Sequence, residues 1–264
     1  MRVLRATRLL WLFVRLGAQH EFAYRGNLAT QAVVSGTNLA ASLAFLTVVY
    51  GRTEVLAGWR PAELLALWGV FHVLTGLLGA VVQPGLQRLV EDVHSGAFDH
   101  TLVKPVDAQL LASIQQVQVW RLLDTALGLG VLAAAVVRLP ERVGPERAVA
   151  FAFALALGGA IAYSCCLVLA TLAFWLVRIE NVLLAFYTFW EAGRWPVDLY
   201  PQWLRIGLTV VVPVAFATTV PAEALSGRLA PATLPTATAF TVCLLLASRW
   251  LWLRGLRRYS GASA

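Results

Sequence analysis

PAELLALWGVFHVLTGLLGAVVQPGLQRLVEDVHSGAFDHTLVKPVD, residues 61–107, changes character near its middle. From Pro61 to Val82 the only ionisable side chains are Glu63 and His72, and the stretch is long enough to cross a hydrocarbon layer, which takes about 20 apolar residues in a helix. Pro61 suits a first helical turn, and Pro84 is expected to stop the helix. Beyond it, Leu86, Leu89, Val90 and Val93 fall on one helical face and Arg88, Glu91 and Asp92 on the other, with Gly96 placed to end the helix in a left-handed cap. The acid Asp99, Lys104 and Pro105 follow. A short amphipathic helix of this kind, lying along a membrane, suits the docking of a cytosolic partner. It equally suits a solvated loop with an interfacial helix, and spacing alone leaves both open.

Outward from that stretch, the 264-residue chain is 59% hydrophobic and 13% charged, against roughly 25% charged residues in soluble chains. With a mean hydropathy of +0.71, it has too little polar surface to coat a soluble core. The composition excludes disorder, a disulfide scaffold and a cytosolic multidomain enzyme. The class expected is an all-α polytopic membrane protein.

Arg2, Arg5, Arg8, Arg15 and Arg25 precede the first apolar span, and Arg249, Arg254, Arg257 and Arg258 close the last. Under the positive-inside rule both termini are cytoplasmic, so the number of crossings is even. The formal charge of +7 then reflects orientation and anchoring, without nucleic acid as a partner. Residues 1–26 interleave leucines with arginines and are expected to form an amphipathic interfacial helix retained in the mature protein. Cys165, Cys166 and Cys243 lie in apolar runs and read as small buried hydrophobes.

The expected spans are residues 28–50, 61–82, 109–137 and 147–177, with a final one at 235–253. Between the last two, residues 181–196 are short for a crossing, whereas 204–220 is longer but contains Pro213 and ends at Pro221. Only one of these can cross. If 181–196 crosses, 204–225 forms a re-entrant hairpin whose broken backbone other helices must shield. If 204–220 crosses, residues 181–203 lie on the cytoplasmic surface, which charge slightly favours.

A phosphate loop is missing, because the sole lysine is Lys104, between Val103 and Pro105; no Gly-Lys-Ser/Thr exists to cradle ATP. His20, His72, His94 and His100 have no metal-ligand spacing, and no serine has the strand-to-helix setting of a nucleophile elbow. Arg121 and Asp124 lie one turn apart and can pair, as a structural ion pair or as part of a gate or substrate route. Glu191 and Arg194 repeat the spacing, with interfacial anchoring as the plain reading. Glu223, after Pro221, is an isolated acid in the proposed hairpin. The ten tryptophans, Trp59, Trp175, Trp203 and Trp250 among them, fall mostly near span ends as interfacial anchors do. Gly76, Gly79 and Ala80, or Gly128 and Gly130, allow close helix approach, within the chain or between subunits.

The order of these features resembles the permease subunit of a type-2 ABC exporter, in the bacterial group with a stand-alone six-helix permease. The resemblance rests on the basic opening that ends in EFAYRGN (21–27), SGAFDHTLVKPVDAQL (95–110), PVDLYPQWLR (196–205) with VVPVAFATTVPAEALSG (211–227), and the tail RRYSGASA (257–264). It spans essentially the whole chain. It implies that 181–196 is the fifth span and 204–225 an outer re-entrant hairpin. It also makes residues 86–104 a coupling helix that seats in a cytosolic ATPase, with Leu86, Leu89, Val90, Glu91, Val93, Gly96, Asp99 and Lys104 as the coupling residues. Arg121, Asp124, Pro213, Pro221 and Glu223 become candidates for the gate or substrate route. No cofactor or metal is expected in this chain; ATP and magnesium belong to the partner ATPase, present in two copies beside a second permease copy or paralogue in the bacterial inner membrane. Few charges in the spans point to a hydrophobic or amphipathic cargo, a drug or a lipid. A secondary transporter driven by an ion gradient, with midplane helix breaks and inverted repeats, is the alternative. A membrane-embedded enzyme would need a convergent catalytic set that the sequence lacks.

Overall fold

Apolar runs bounded by proline and glycine set the helices of the computed structural model, which describes residues 15, 17, 19, 25–52, 54–176, 180–211 and 213–259. The interfacial helix expected at 1–26 and the tail from Ser260 lie almost wholly outside the described residues. Helix α1 is Arg25–Tyr50, α2 is Pro61–Leu77, and a π-helical turn, Leu78–Val82, joins α2 to α3, Gln83–Ser95. Two short helices follow, α4 at Asp99–Leu102 and α5 at Ala108–Ile114. A 3-10 turn, Val119–Arg121, leads into α6, Leu122–Arg138, and α7 is Pro145–Thr171 with a 3-10 end at Leu172–Phe174. Helix α8, Glu180–Trp190, tightens into a 3-10 turn at Glu191–Arg194. Helix α9, Gln202–Ile206, and π-helical turns at Gly207–Val211 and Ala215–Thr219 lead to α10, Val220–Ser226, and finally α11, Thr233–Arg258.

Among the described residues, five helical runs are long and apolar enough to cross a membrane: Ala29–Val48, Pro61–Ser95, Val119–Arg138, Pro145–Phe174 and Thr233–Arg258. The sequence expectation at Pro84 is overturned, because α2, the π-helical turn and α3 form one continuous rod of 35 residues. Proline cannot donate to the carbonyl four residues earlier and crowds it. Here the π-helical turn widens the backbone just before Pro84, and the Ala80 carbonyl accepts instead from the Gln118 N–H at 2.8 Å. In a membrane, where water cannot serve, a carbonyl left without a donor costs about 2–7 kcal/mol.

That same bond explains a second departure. Residues 109–137 do not form one helix: α5 ends at Ile114, and the backbone is non-helical until Val119. A regular helix would commit the Gln118 N–H to its own chain; with that donor given to Ala80, the break is part of the repair of the Pro84 defect.

Helix α6 runs back along α2. Added Cβ atoms on Gly69 of α2 and Gly79 of the π-helical turn would each fall 2.5 Å from a neighbour, Leu132 Cγ and Arg121 Cδ respectively, and one on Gly128 would fall 2.7 Å from the Val73 nitrogen. The close approach served by Gly76, Gly79 and Gly128 is therefore within the chain, whereas Gly130 has nothing within 4 Å.

At one end of the molecule, Arg228 donates to the Gly58 carbonyl at 2.5 Å and to Glu63 at 2.7 Å, and covers the buried ring of Trp59. At the other, Phe98 packs on Phe174, Trp252 and Tyr259, with ring centroids 5.5–6.2 Å apart. The rod α2–α3, α7 and α11 all run from the Trp59 end toward the Phe98 end, so the chain climbs back between Phe174 and Gly227. It does so along α8 and the turn that follows it, before the irregular 202–226 segment begins. Gly193 packs on Val214 and Thr218, and the Thr218 hydroxyl donates to the Gly193 carbonyl at 2.9 Å. Val214, Ala217, Thr218 and Val220 are buried, so the irregular backbone is shielded by α7, α2 and the turn at 191–194.

Candidate functional site

Two features combine charged chemistry with position: the segment after the π-helical turn and a cavity midway along the bundle. In the first, Gly96 adopts φ 74°, the left-handed cap expected of it, and ends α3. The chain then folds back, with the Phe98 N–H donating to the Asp92 carbonyl at 3.0 Å. Leu86, Leu89 and Val90 are 1%, 0% and 2% exposed. This corrects the expectation that they face a partner: their apolar face is consumed by the chain's own core, against α7 and α5. Val93 is partly buried there too. The outward face carries Arg88 and Glu91, 3.6 Å apart, with Arg88 also holding Asp92 at 2.9 Å. Asp99 begins α4 and is half-buried. Beyond it Leu102, Val103, Lys104 and Pro105 are exposed, and Val103, at 84%, is the least covered large apolar side chain of the segment.

The segment is tied down at both ends. Phe98 plugs the aromatic cluster that closes α7 and α11, and Phe174 itself lies 5.7 Å from Trp252 and 5.9 Å from Tyr259. At the far end Asp107 caps α5 through the Gln109 and Leu110 amides at 3.0 and 3.2 Å. Arg249 of α11 donates to Asp107 at 2.8 Å and to the Gln109 side-chain carbonyl at 2.6 Å. The Gln109 amide donates to the Tyr163 hydroxyl of α7 at 3.1 Å, and Ser113 lies 3.0 Å from the same oxygen. Burial alone would push the Asp107 carboxyl up. The bonds from Arg249 and the two amides outweigh it and hold the group below the ordinary carboxylate range. Sequence reasoning missed Asp107, Gln109, Tyr163 and Arg249 as a group, since nothing in their spacing links positions so far apart.

The second feature is a cavity of about 660 Å³ between α1, α2, the start of α6 and the end of α8. Helix α1 gives it a polar stripe, Gln31, Ser35, Asn38 and Ser42, at helical spacing. The rod contributes Trp68, Phe71, His72 and Thr75. His72 Nδ1 lies 2.9 Å from the Trp68 carbonyl, and the Trp190 indole N–H donates to Thr75 at 2.9 Å. Trp195 closes one wall, edge-on to Trp68 at 5.4 Å and to Phe45 at 5.5 Å.

Four formal charges meet in this space. Arg121 lines it from the 3-10 turn before α6 and Asp124 from the first turn of α6, and Glu191 and Arg194 from the 3-10 turn after α8. Glu191 and Arg194 pair with each other, and the Arg194 guanidinium also stands 5.5 Å from the Phe71 ring centre. The pairing expected between Arg121 and Asp124 is not formed among the described residues: Arg121 Nε donates to the Gln118 side chain at 2.9 Å, and its guanidinium lies over Trp120 at 4.8 Å. The Arg121 guanidinium is engaged by these two neighbours, while Asp124 acts on it only through space.

Pro213, Pro221 and Glu223 are elsewhere. Pro213 is buried where the irregular segment turns, and Pro221 is buried in the first turn of α10. Glu223 is half-buried on α10 toward the Trp59 end, and its backbone carbonyl accepts from the Arg228 N–H at 3.0 Å. None of the three lines the cavity. Arg178, which precedes Glu180, lies outside the described residues. Among the described residues no three His, Cys, Asp or Glu side chains converge as a metal site.

A model of the family described as ABC-2 family transporter protein matches residues 37–263. That range takes in the second half of α1, the whole rod, the segment after the π-helical turn, α11, and the cavity lining other than Gln31, Val34 and Ser35. No curated protein and no solved structure matches the chain.

Proposed function

The chain belongs to the ABC-2 family of transporter permeases, and from that premise we propose that it carries amphipathic cargo outward through the central cavity, driven by a cytosolic ATPase seated on the exposed face of residues 88–105. A permease of this family is the membrane subunit of an ABC transporter and works with an ATP-binding subunit. The proposal adds the docking surface, the direction, the class of cargo and the assembly: two permease copies with two ATPases, both termini in the cytoplasm of a bacterial inner membrane.

The observation that carries it is the unbroken rod Pro61–Ser95. Its first half forms a wall of the cavity with Trp68, Phe71, His72 and Thr75, and its last turns present Arg88 and Glu91. An ATPase that binds one permease state better than another shifts the balance between them by its differential affinity. A rigid element touching both places lets that bias reach the cavity. The docking surface is Arg88, Glu91, Leu102, Val103 and Lys104, and Leu86, Leu89 and Val90 are the anchor beneath it.

In this reading the Phe98 end is cytoplasmic and α8 with its 3-10 extension makes the fifth of six crossings. The 202–226 segment is an outer re-entrant hairpin that begins and ends on the Trp59 side. Support comes from the parallel run of α7 and α11, which requires a return crossing between them.

Reconstitution of the purified permease with its ATPase in vesicles tests the proposal. The expected result is ATP-dependent accumulation of a fluorescent amphipath on the side away from the ATPase, abolished by Val103→Asp while the permease still folds and inserts. Undiminished transport by that variant, or transport that follows an ion gradient without ATP, would overturn it.

A further inference from the structure

The cavity also says something about the head of the cargo, an inference that rests on the transport reading above. Apart from His72, its ionisable lining balances: Arg121 and Arg194 oppose Asp124 and Glu191. A ligand with net charge entering such a space leaves water without a matching excess on the protein, and burying an unmatched charge is costly. A ligand carrying one charge of each sign meets a counter-charge for both.

The two halves of this balance are not equivalent. Glu191 and Arg194 neutralise each other. Arg121 and Asp124 share the cavity wall one turn apart without an ion pair among the described residues, Arg121 being turned toward Gln118 and Trp120. They are a donor and an acceptor of full charge held in one space, acting on each other through space but not in direct contact. Beside them is the ring of Trp195, and the face of such a ring suits an ammonium group, whereas the Phe71 ring already carries Arg194. The polar stripe of α1 opposite supplies neutral hydrogen-bonding groups. The volume, about 660 Å³, is that of a site for a ligand of drug or headgroup size.

We propose that this cavity selects a zwitterionic headgroup, an ammonium directed to Asp124 and the aromatic wall and a phosphate or carboxylate directed to Arg121. This refines the sequence expectation of a hydrophobic or amphipathic cargo by giving its head one charge of each sign. The charges are few, but the fold collects four of them around one space.

Binding to the purified full-length permease in a neutral maltoside detergent, measured by isothermal calorimetry, tests the proposal without the ATPase. The probes are lysophosphatidylethanolamine, dodecylamine, dodecyl phosphate and the chain-free glycerophosphoethanolamine. Saturable binding of the lysophospholipid, about tenfold tighter than either singly charged probe, is expected. Asp124→Asn should weaken the lysophospholipid and the amine about tenfold and leave the phosphate unchanged. Arg121→Gln should weaken the lysophospholipid and the phosphate and spare the amine, each change being of the size expected for a hydrogen bond to a charged group. Asp124→Glu, which keeps the charge, should restore most of the binding. Comparable binding of the chain-free headgroup would identify a soluble zwitterion as the ligand in place of a lipid-like one, with the headgroup assignment intact. The proposal fails if the amine or the phosphate binds as tightly as the zwitterion, or if neither substitution alters binding in protein whose melting temperature is unchanged. If zwitterion binding is absent but the permease still stimulates its ATPase, only the headgroup falls; if binding holds and stimulation is absent, the transport reading falls.

Discussion

Helix α1 and the α2–α3 rod are both long and apolar enough to cross a membrane, yet 11% of the first and 72% of the second, over their most apolar windows, is buried within this chain. The rod is gripped by α6 along its glycines, by α7, α10 and α5, and by the aromatic plug at Phe98. Helix α1 touches its neighbours lightly, leaves Val33, Phe45 and Val48 exposed, and turns its polar stripe into the cavity. Mean hydropathy separates them in part, 1.3 for α1 against 2.0 for the rod. The use of small residues separates them further: Gly69 and Gly76 of the rod meet α6 and Gly79 meets Arg121 in the turn before it, whereas Gly36 of α1 has nothing within 4 Å. A buried rod bordered by a lightly held helix is an arrangement in which the cavity between them can change width while the rod keeps its link to the segment at the Phe98 end.

The largest expected effect tests the grip on the rod. Phe98→Ala removes the fully buried plug that holds the coupling segment against Phe174, Trp252 and Tyr259. A loss of about 3–5 kcal/mol is expected from the cavity it leaves, read as a lowered thermal midpoint in detergent. A loss below about 1 kcal/mol would show that the segment is not anchored as described.

Gly76→Ala comes next. Its added methyl would press on the Thr125 side chain and backbone, with an expected cost of about 1–3 kcal/mol. The matched change in α1, Gly36→Ala, should have the opposite sign, a gain of up to about 1 kcal/mol from helix propensity. If Gly36→Ala instead lowers stability or splits a dimer on size-exclusion chromatography, the open face of α1 is covered by another chain.

The smallest effect concerns the Asp107–Arg249 tie. Because Asp107 titrates below the ordinary carboxylate range in the folded state, it binds fewer protons there than when unfolded, so its contribution is present above about pH 4 and lost as the pH falls further. Both side chains are partly solvated, with 41% and 47% exposure, so solvent screening limits the contribution to a few tenths of a kcal/mol, about 1 at most. Asp107→Asn should flatten that part of the acid unfolding profile; an unaltered profile would remove Asp107 from the tie.

Much of the fold was legible because membrane helices announce themselves by length and apolarity, and because Pro61 and Gly96 act locally. Pro84 misled because its usual effect was absorbed by a π-helical turn and by a donor, Gln118, far away in sequence. The break in residues 109–137 was hidden for the same reason. Leu86, Leu89 and Val90 were legible as an apolar face, but a face does not say what it packs against, and here it packs inward. The cavity was the least legible feature. It draws on residues near 31–45, 68–75, 120–124 and 191–195, four stretches with no shared motif, and the spacing of Arg121 and Asp124 does not disclose that Arg121 bonds to Gln118.

The central claim is that the exposed surface next to the rod's cytoplasmic end receives the ATPase. A photo-crosslinking residue at Val103, compared with one at Val137 near the Trp59 end of α6, tests it most directly, since the two positions are 84% and 86% exposed and differ in which end they mark. In the purified permease–ATPase complex, crosslinking from position 103 and none from 137 is the predicted result. An ATPase captured from 137, or none captured from 103 in an intact complex, would contradict it.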